Sequence, residues 1–385
     1  MNNKNLVCCT LAFLLIVLSG FPIRAQEKKV SLKDTLDNRF DLSDYVINMH
    51  GFVPYPIIIS EPALGNFGGA LALVFMSPKK SLQGEEKFRF PDITGVAGLY
   101  TLNNSWGGGA LRMGTFPSIG MRYTIAAGYA DVNMDYYRNL TITGETKLQF
   151  NLSPIFFMLD MSENIYKNKI FGGIRYQFTK TRVDYDFDME IDLFDSIFDS
   201  KISDKNLGLL GLYGELDYRN SMFTPDKGIR LKLTYYFARN YLGSDFDIDR
   251  AELLFNGFFQ PYKWWVCGLR AEGQAVSDGA PFYYLPFVVM RGFPIMKYQG
   301  QEVLMLETEQ RFDMTRRWSL VGFAGTGKTF SDSEFLKDDN WHFSGGAGFR
   351  YLIARLFKLR MGVDIAYGPD NQFAYYIVFG HNWNR

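Results

Sequence analysis

Several segments of this chain alternate apolar and polar side chains with period two, the spacing of a β-strand whose two faces meet different surroundings. Ile229, Leu231, Leu233, Tyr235 and Phe237 fall on one face, with Arg230, Lys232 and Thr234 on the other. The same alternation runs through Phe357, Leu359, Met361, Val363, Ile365 and Tyr367, whose intervening residues include Lys358, Arg360 and Asp364. It recurs in Ile170, Ile174, Tyr176 and Phe178, and again in Phe373, Tyr375, Ile377 and Phe379. No amphipathic helix gives this pattern. Past residue 25 no apolar run approaches the roughly 20 residues of a membrane helix. Strands with one wholly apolar face, in a chain with 35 Phe, 23 Tyr and 37 Gly, can satisfy their backbone donors in lipid only as a closed barrel.

The first 25 residues read as a secretory signal peptide: Lys4, an apolar run from Leu6 to Leu18, the breakers Gly20 and Pro22, then Ala25 as the cleavage position. The organisation expected is therefore signal peptide 1–25, a short periplasmic leader 26–53, and a transmembrane β-barrel 54–385. After cleavage only Cys267 remains, which leaves no intramolecular disulfide, cysteine zinc site or redox pair. Taking Lys4 and Arg24 from the 41 basic residues leaves 39 against 41 acidic, so charge gives no reason to expect nucleic acid as a partner. No cofactor and no metal are called for.

Breaks at Asn103-Asn104, Pro117-Ser118, Pro225-Asp226-Lys227-Gly228 and Pro369-Asp370-Asn371 divide the region from Pro54 to Trp383 into about sixteen antiparallel strands, with boundaries good to a few residues. An even count puts both termini on one side, which export makes periplasmic. Short turns at Tyr262-Lys263 and Thr315-Arg316-Arg317 suit that side, and the long connections after the seventh, eleventh and thirteenth strands suit the cell surface. Ser77 to Pro91 is the exception, a long connection at the short-turn end unless the early count is off by one. Trp264, Trp265, Trp318, Phe357 and Trp383 are expected to form the aromatic girdle at that end. Sixteen strands enclose a lumen that something must occupy or gate. By parity its wall carries both signs, including Arg122, Arg175, Arg230, Glu252, Arg270, Glu272, Glu307, Glu309 and Arg311, which argues against strong ion selection.

The loop from Ser277 to Gln301, before the predicted twelfth strand, holds Phe287-Val-Val-Met-Arg-Gly-Phe293. A segment so apolar is poorly solvated outside, so it is expected to fold back into the lumen. Arg291 then needs an acidic partner, and Glu307 and Glu309 share inward parity on the next strand. Met290, Arg291, Gly292 and Phe293 resemble the (Val/Ile)-Arg-Gly-Phe loop of the BamA-like outer-membrane insertase and translocase superfamily, the bacterial surface antigen family. Glu307-Thr-Glu-Gln-Arg311 is similar to the acidic strand that follows in that family, and Asp217-Tyr-Arg-Asn220 with Thr224-Pro225 and Gly228 to its mid-barrel turn. The resemblance covers most of the chain from Pro54 onward. It implies insertion or translocation of polypeptide, or of lipid, at the bacterial outer membrane, with outer-membrane lipid and an accessory outer-membrane or periplasmic protein as partners.

Two departures stand out. Where the family has Phe-x-Asp as a second partner of the loop arginine, this chain has Phe323-Ala-Gly325, so the lock is expected to rely on Glu307 or Glu309. The family's periplasmic polypeptide-transport-associated domains have no counterpart in residues 26–53. A lateral gate is a further expectation, because Pro54, Pro56 and Pro62 lack the backbone N–H that would join the first strand to the last. Ile58 and Ile377 mark that seam. The alternative function is a passive diffusion pore with a constricting loop.

Three motifs are set aside. Gly322-Phe-Ala-Gly-Thr-Gly327-Lys328-Thr329 spells a phosphate-binding loop, but a strand continues where the phosphate site needs a helix. His342 and Ser344 resemble the His-x-Ser of outer-membrane phospholipases, yet a polar lumen lining explains both, and no enzyme activity is expected. The acids Asp184, Asp186, Asp188, Glu190, Asp192, Asp195 and Asp199 alternate with apolar residues, as in an extended surface hairpin rather than a calcium site.

Overall fold

A computed structural model describes residues 31–48, 52–59, 64–65, 67–77, 92–116, 119, 121–140, 144–185, 204–331, 338 and 340–383. Sixteen antiparallel strands follow one another in a single sheet, each hydrogen-bonded to its sequence neighbour. They are β1 (Phe52–Ile59), β2 (Gly68–Ser77), β3 (Asp92–Thr101), β4 (Trp106–Thr115), β5 (Arg122–Leu140), β6 (Gly144–Tyr166), β7 (Ile170–Tyr185) and β8 (Lys205–Asp217). The second half comprises β9 (Gly228–Ala238), β10 (Ile248–Tyr262), β11 (Trp265–Val276), β12 (Glu302–Asp313), β13 (Trp318–Phe330), β14 (His342–Ala354), β15 (Leu359–Tyr367) and β16 (Phe373–Phe379). No described helix is long and apolar enough to cross a membrane.

Parity decides which residues meet lipid. On β9 Ile229, Leu233 and Tyr235 are exposed while Arg230, Thr234 and Tyr236 are buried, and on β15 Met361 and Ile365 are exposed while Arg360 and Asp364 are buried. The polar residues therefore point into the barrel, where they meet one another. The nucleotide-like Gly322–Thr329 run lies wholly within β13, so its amides bond to β12 and β14. Phe357 belongs not to a strand but to a single 3-10 turn, Arg355–Phe357, and β15 starts two residues later than the alternation suggests. Lys358, left-handed at φ 51, breaks the extended run there.

The girdle is in part as the sequence suggests. Tyr262, Trp264, Trp265 and Phe312 stack in a group at the β10–β11 turn, and Trp318 packs on Phe349 and Tyr351. Trp383 is not part of it: only 2% exposed, it lies inside the barrel. After β16 the chain turns at Gly380 (φ 75) and runs under the lumen, which carries the indole inward. The segment 78–91 and the acids from 186 to 199 lie outside the described residues, as do Pro62 and the signal-peptide region.

Between β1 and β16 the sheet has no ladder among the described residues, and the two strands meet only marginally. Pro54 and Pro56 pair in register with Leu73 and Leu71 of β2. Being of like parity, they remove two donors from the same side of β1.

Residues 31–48 form no core of their own and are held by charge. Arg317, in the β12–β13 turn, donates to Asp34 (2.5 Å), Asp37 (2.7 Å) and Asp41 (2.5 Å). Arg355, in the β14–β15 turn, adds a second contact to Asp34 at 2.6 Å, and Leu42 N–H donates to Ile353 O at 2.6 Å. The Arg317 hydrogen bond holds the Asp37 carboxyl down at about 2, and the Arg355 hydrogen bond lowers that of Asp34. Burial pushes the Asp41 carboxyl up, but hydrogen bonds from Ser43 and Arg317 leave it below its ordinary value. The latch thus joins the leader to two turns between 276 and 321 residues away in sequence.

Candidate functional site

The connection between β11 and β12 turns into the lumen. Its first half, from Phe282 to Leu285, packs with Met134, Phe150, Leu207, Leu209, Tyr236 and Met296 as an apolar lid across β5–β11. Its second half carries Val288, Met290, Phe293 and Tyr298 onto Val303 and Met305 of β12. Small residues on the facing strands make room. A Cβ on Gly327 would sit 2.6 Å from Val288, one on Gly325 3.0 Å from Met290 Sδ, and one on Gly368 1.9 Å from the carbonyl oxygen of Gly292. Gly292 itself has φ +88, a conformation in which a side chain is strained.

This placement leaves Arg291 2% exposed in the barrel interior. Its Nε and Nη2 donate to Glu307 Oε1 at 3.1 and 2.7 Å, and its Nη1 donates to Asp364 Oδ2 at 2.6 Å. Glu309 Oε2 lies 2.8 Å from Nη1 as an ion pair, without the alignment of a hydrogen bond. The guanidinium also lies over the Phe323 ring, 3.6 Å from its centroid. Gly292 N–H donates to the hydroxyl of Tyr376 on β16 at 2.9 Å. Met290, Arg291, Gly292 and Phe293 are therefore fixed to β12, β13, β15 and β16 at once.

The expected partners Glu307 and Glu309 are both in place, and the structure adds one that sequence reasoning missed. Asp364, fully buried on β15, is a further carboxylate bound to Arg291. It reaches Arg291 because Gly348 and Gly346 on the intervening strand leave space: a Cβ on Gly348 would lie 2.0 Å from Asp364 Oδ1. Asp364 also accepts from Arg350 at 2.5 and 2.9 Å. Glu307 is shared more widely still. Its Oε2 accepts from Arg270 at 3.3 Å and from the indole N–H of Trp383 at 2.8 Å. Arg270, Arg291 and Arg350 thus face Glu272, Glu307, Glu309 and Asp364, an arrangement in which each buried charge has an opposite neighbour. The inward acid at position 364 was visible in the β15 alternation; what hid its role was its distance in sequence from the loop.

Below this network the β8–β9 turn closes the short-turn end of the lumen. Asp226 bonds to Arg311 and, at 2.7 Å, to Lys358. Asn220 Oδ1 accepts from the Asp226 and Lys227 amides, and Gly228 adopts φ +109 against the Tyr218 carbonyl. His381 N–H donates to Phe223 O at 2.8 Å, tying the chain after β16 to the same turn. His342 pairs with Asp338 at 2.6 Å and its ring packs, tilted, against Tyr298, so it serves as part of the loop's surroundings. Ile58 and Ile377 both lie on the lipid face, one on each side of the β1–β16 break.

A sixteen-stranded antiparallel barrel, lipid-facing outside and plugged inside by its own loop, defines an outer-membrane-type β-barrel protein. No family model and no curated protein matches the sequence. Among solved structures the chain is similar to BamA from Haemophilus ducreyi lacking POTRA domains 1-3, at 11% identity and TM-score 0.57, covering 86% of this chain and 70% of that one. It is also similar to CdiB from Escherichia coli (10% identity, TM-score 0.58, 85% of this chain and 61% of that). CdiB from Acinetobacter baumannii gives 11%, 0.57, 85% and 59%. The chain therefore spans about three fifths of the length of the CdiB chains. The fold is that of the BamA-like barrels.

Proposed function

We propose that the protein takes part in inserting or translocating polypeptide, or lipid, at the bacterial outer membrane, and that the β1–β16 seam is its lateral opening. The observation that carries this reading is the carboxylate of Glu307, which holds the lumen loop through Arg291 and the chain after β16 through Trp383. A plug attached to the seam strand at Tyr376, and to the chain just after it at Trp383, can respond to movement of that strand, whereas a constriction loop in a diffusion pore has no need of such attachment. The unladdered seam costs few hydrogen bonds to part. The leader 31–48, latched beneath the turns, offers a periplasmic surface for an accessory protein.

A disulfide between Ile58→Cys and Ile377→Cys, in a Cys267→Ser background, tests this. Assembly of a reporter barrel into liposomes should stop when the seam is oxidised and return on reduction. Unchanged assembly with a fully formed cross-link would refute the lateral opening.

A further inference from the structure

The lumen wall carries charge from β5 round to β15, but among the described residues of β1–β4 it is uncharged and largely apolar. Register fixes the orientation of those strands: Met113 pairs with Thr124, which pairs with Asp160, a buried lumenal acid bound to Arg175. Leu111 and Met113 therefore face inward, as do Ile57, Val74, Ala97 and Leu99, which share their parity across the ladders. Among the described residues of these four strands no lumenal position carries a charge. Among the described residues nothing covers this wall. Leu111 is 38% and Met113 43% exposed, and the loop's apolar contacts begin only at Val132 and Met134 on β5.

Apolar surface facing a water-filled lumen is unfavourable, and barrel interiors are ordinarily polar for that reason. Here the apolar wall ends at β1, where the sheet has no ladder to β16, so it runs directly into the lipid-facing surface of the same strand. Bilayer lipid is the apolar material that this continuity brings to the site. We propose that the lumenal face of β1–β4 is a docking surface for lipid acyl chains that enter through the β1–β16 seam. The inference rests on the seam proposed above. It names acyl chains as material the barrel admits, with the charged half of the lumen excluding them from β9–β15.

A nitroxide at Leu111→Cys in a Cys267→Ser background, with the protein in phosphatidylcholine liposomes, reads the occupant directly. Met113→Cys replaces it if the first variant does not fold. Collisions with oxygen, which partitions into lipid, should exceed collisions with a water-soluble nickel chelate severalfold, as at lipid-facing Ile125→Cys. Chelate collisions predominating, as at lumenal Glu252→Cys, would mean water and overturn the proposal. Exclusion of both reagents would mean a covering polypeptide and overturn it equally. The readout needs no assembly substrate. A barrel inactive in assembly whose Leu111 label reads lipid sinks the transport reading and keeps this one, and an active barrel with water at Leu111 does the reverse.

Discussion

Arg291 and Asp364 lie 73 residues apart in the chain, and their side chains meet at 2.6 Å where neither is open to solvent. Glu307 joins them from a second strand, so a single guanidinium ties a loop to β12 and β15. Removing one member of such a buried set strands the others, which is costlier than never having had the set.

Arg291→Ala should therefore destabilise the barrel by about 3–5 kcal/mol and free the loop. In planar bilayers the native protein should show small, erratic openings that become larger and longer in the variant. Arg291→Lys should rescue only partly, because an ammonium cannot reproduce the forked donation to Glu307 and Asp364. Large, steady channels in the native protein would favour the diffusion pore instead.

Among the described residues after β16, the Trp383 indole is the one group that bonds to Glu307. Trp383→Phe keeps a ring against Phe258 and deletes the donor, leaving Glu307 Oε2 with Arg270 alone, so a loss of about 1.5–3 kcal/mol is expected for the missing hydrogen bond to a charged group. The temperature at which the folded barrel loses its fast electrophoretic migration should fall, and loop mobility should rise. A variant as stable and as closed as the native protein would show that the tail does not hold the plug.

At Gly368 an added methyl has nowhere to go, since its Cβ would lie 1.9 Å from the Gly292 carbonyl oxygen. Gly368→Ala should cost about 1–3 kcal/mol through overpacking and displace the Arg291 loop without altering any charge. Conductance should move toward that of Arg291→Ala. Gly214→Ala, where nothing lies within 4 Å, is the control and should change neither.

The leader latch should respond to acid in a defined window. Asp34, Asp37 and Asp41 are lowered when bound, so their contribution is complete above the ordinary carboxylate value of 3.8 and declines as pH falls through about 2, the value held at Asp37. Anisotropy of a fluorophore at exposed Leu36→Cys, in a Cys267→Ser background, should stay flat from neutral pH to about 4 and drop toward pH 2. Arg317→Ala should make it low already at neutral pH. A drop centred near 4 in the native protein would show the aspartates to be unpaired.

The strands and the inward course of the loop were legible because both follow from local patterning. Ile229 to Phe237 can bury and expose its side chains in only one alternation, and Phe287 to Phe293 is too apolar to remain in water. Arg291 likewise demanded a carboxylate wherever it went, and Glu307 and Glu309 were within reach on the next strand. Asp364 was not legible, because its reach to Arg291 depends on Gly346 and Gly348 standing between them on β14. Trp383 was misread for a related reason: an indole near a membrane boundary suits the headgroups equally well, and only the turn at Gly380 sends it inward.

Sequence alone determined that this chain builds an antiparallel barrel with a charged interior, since period-two alternation without helix-length apolar runs leaves lipid-exposed backbone no other way to pair. Tertiary structure decided which charges meet. The curl of the sheet brings β12, β15, the loop and Trp383 around one point, and register sets the distances there, so partner choice among several inward acids and arginines is a property of three-dimensional proximity that no local pattern encodes. The same holds for the leader, whose three aspartates are brought together only by Arg317, far off in the sequence.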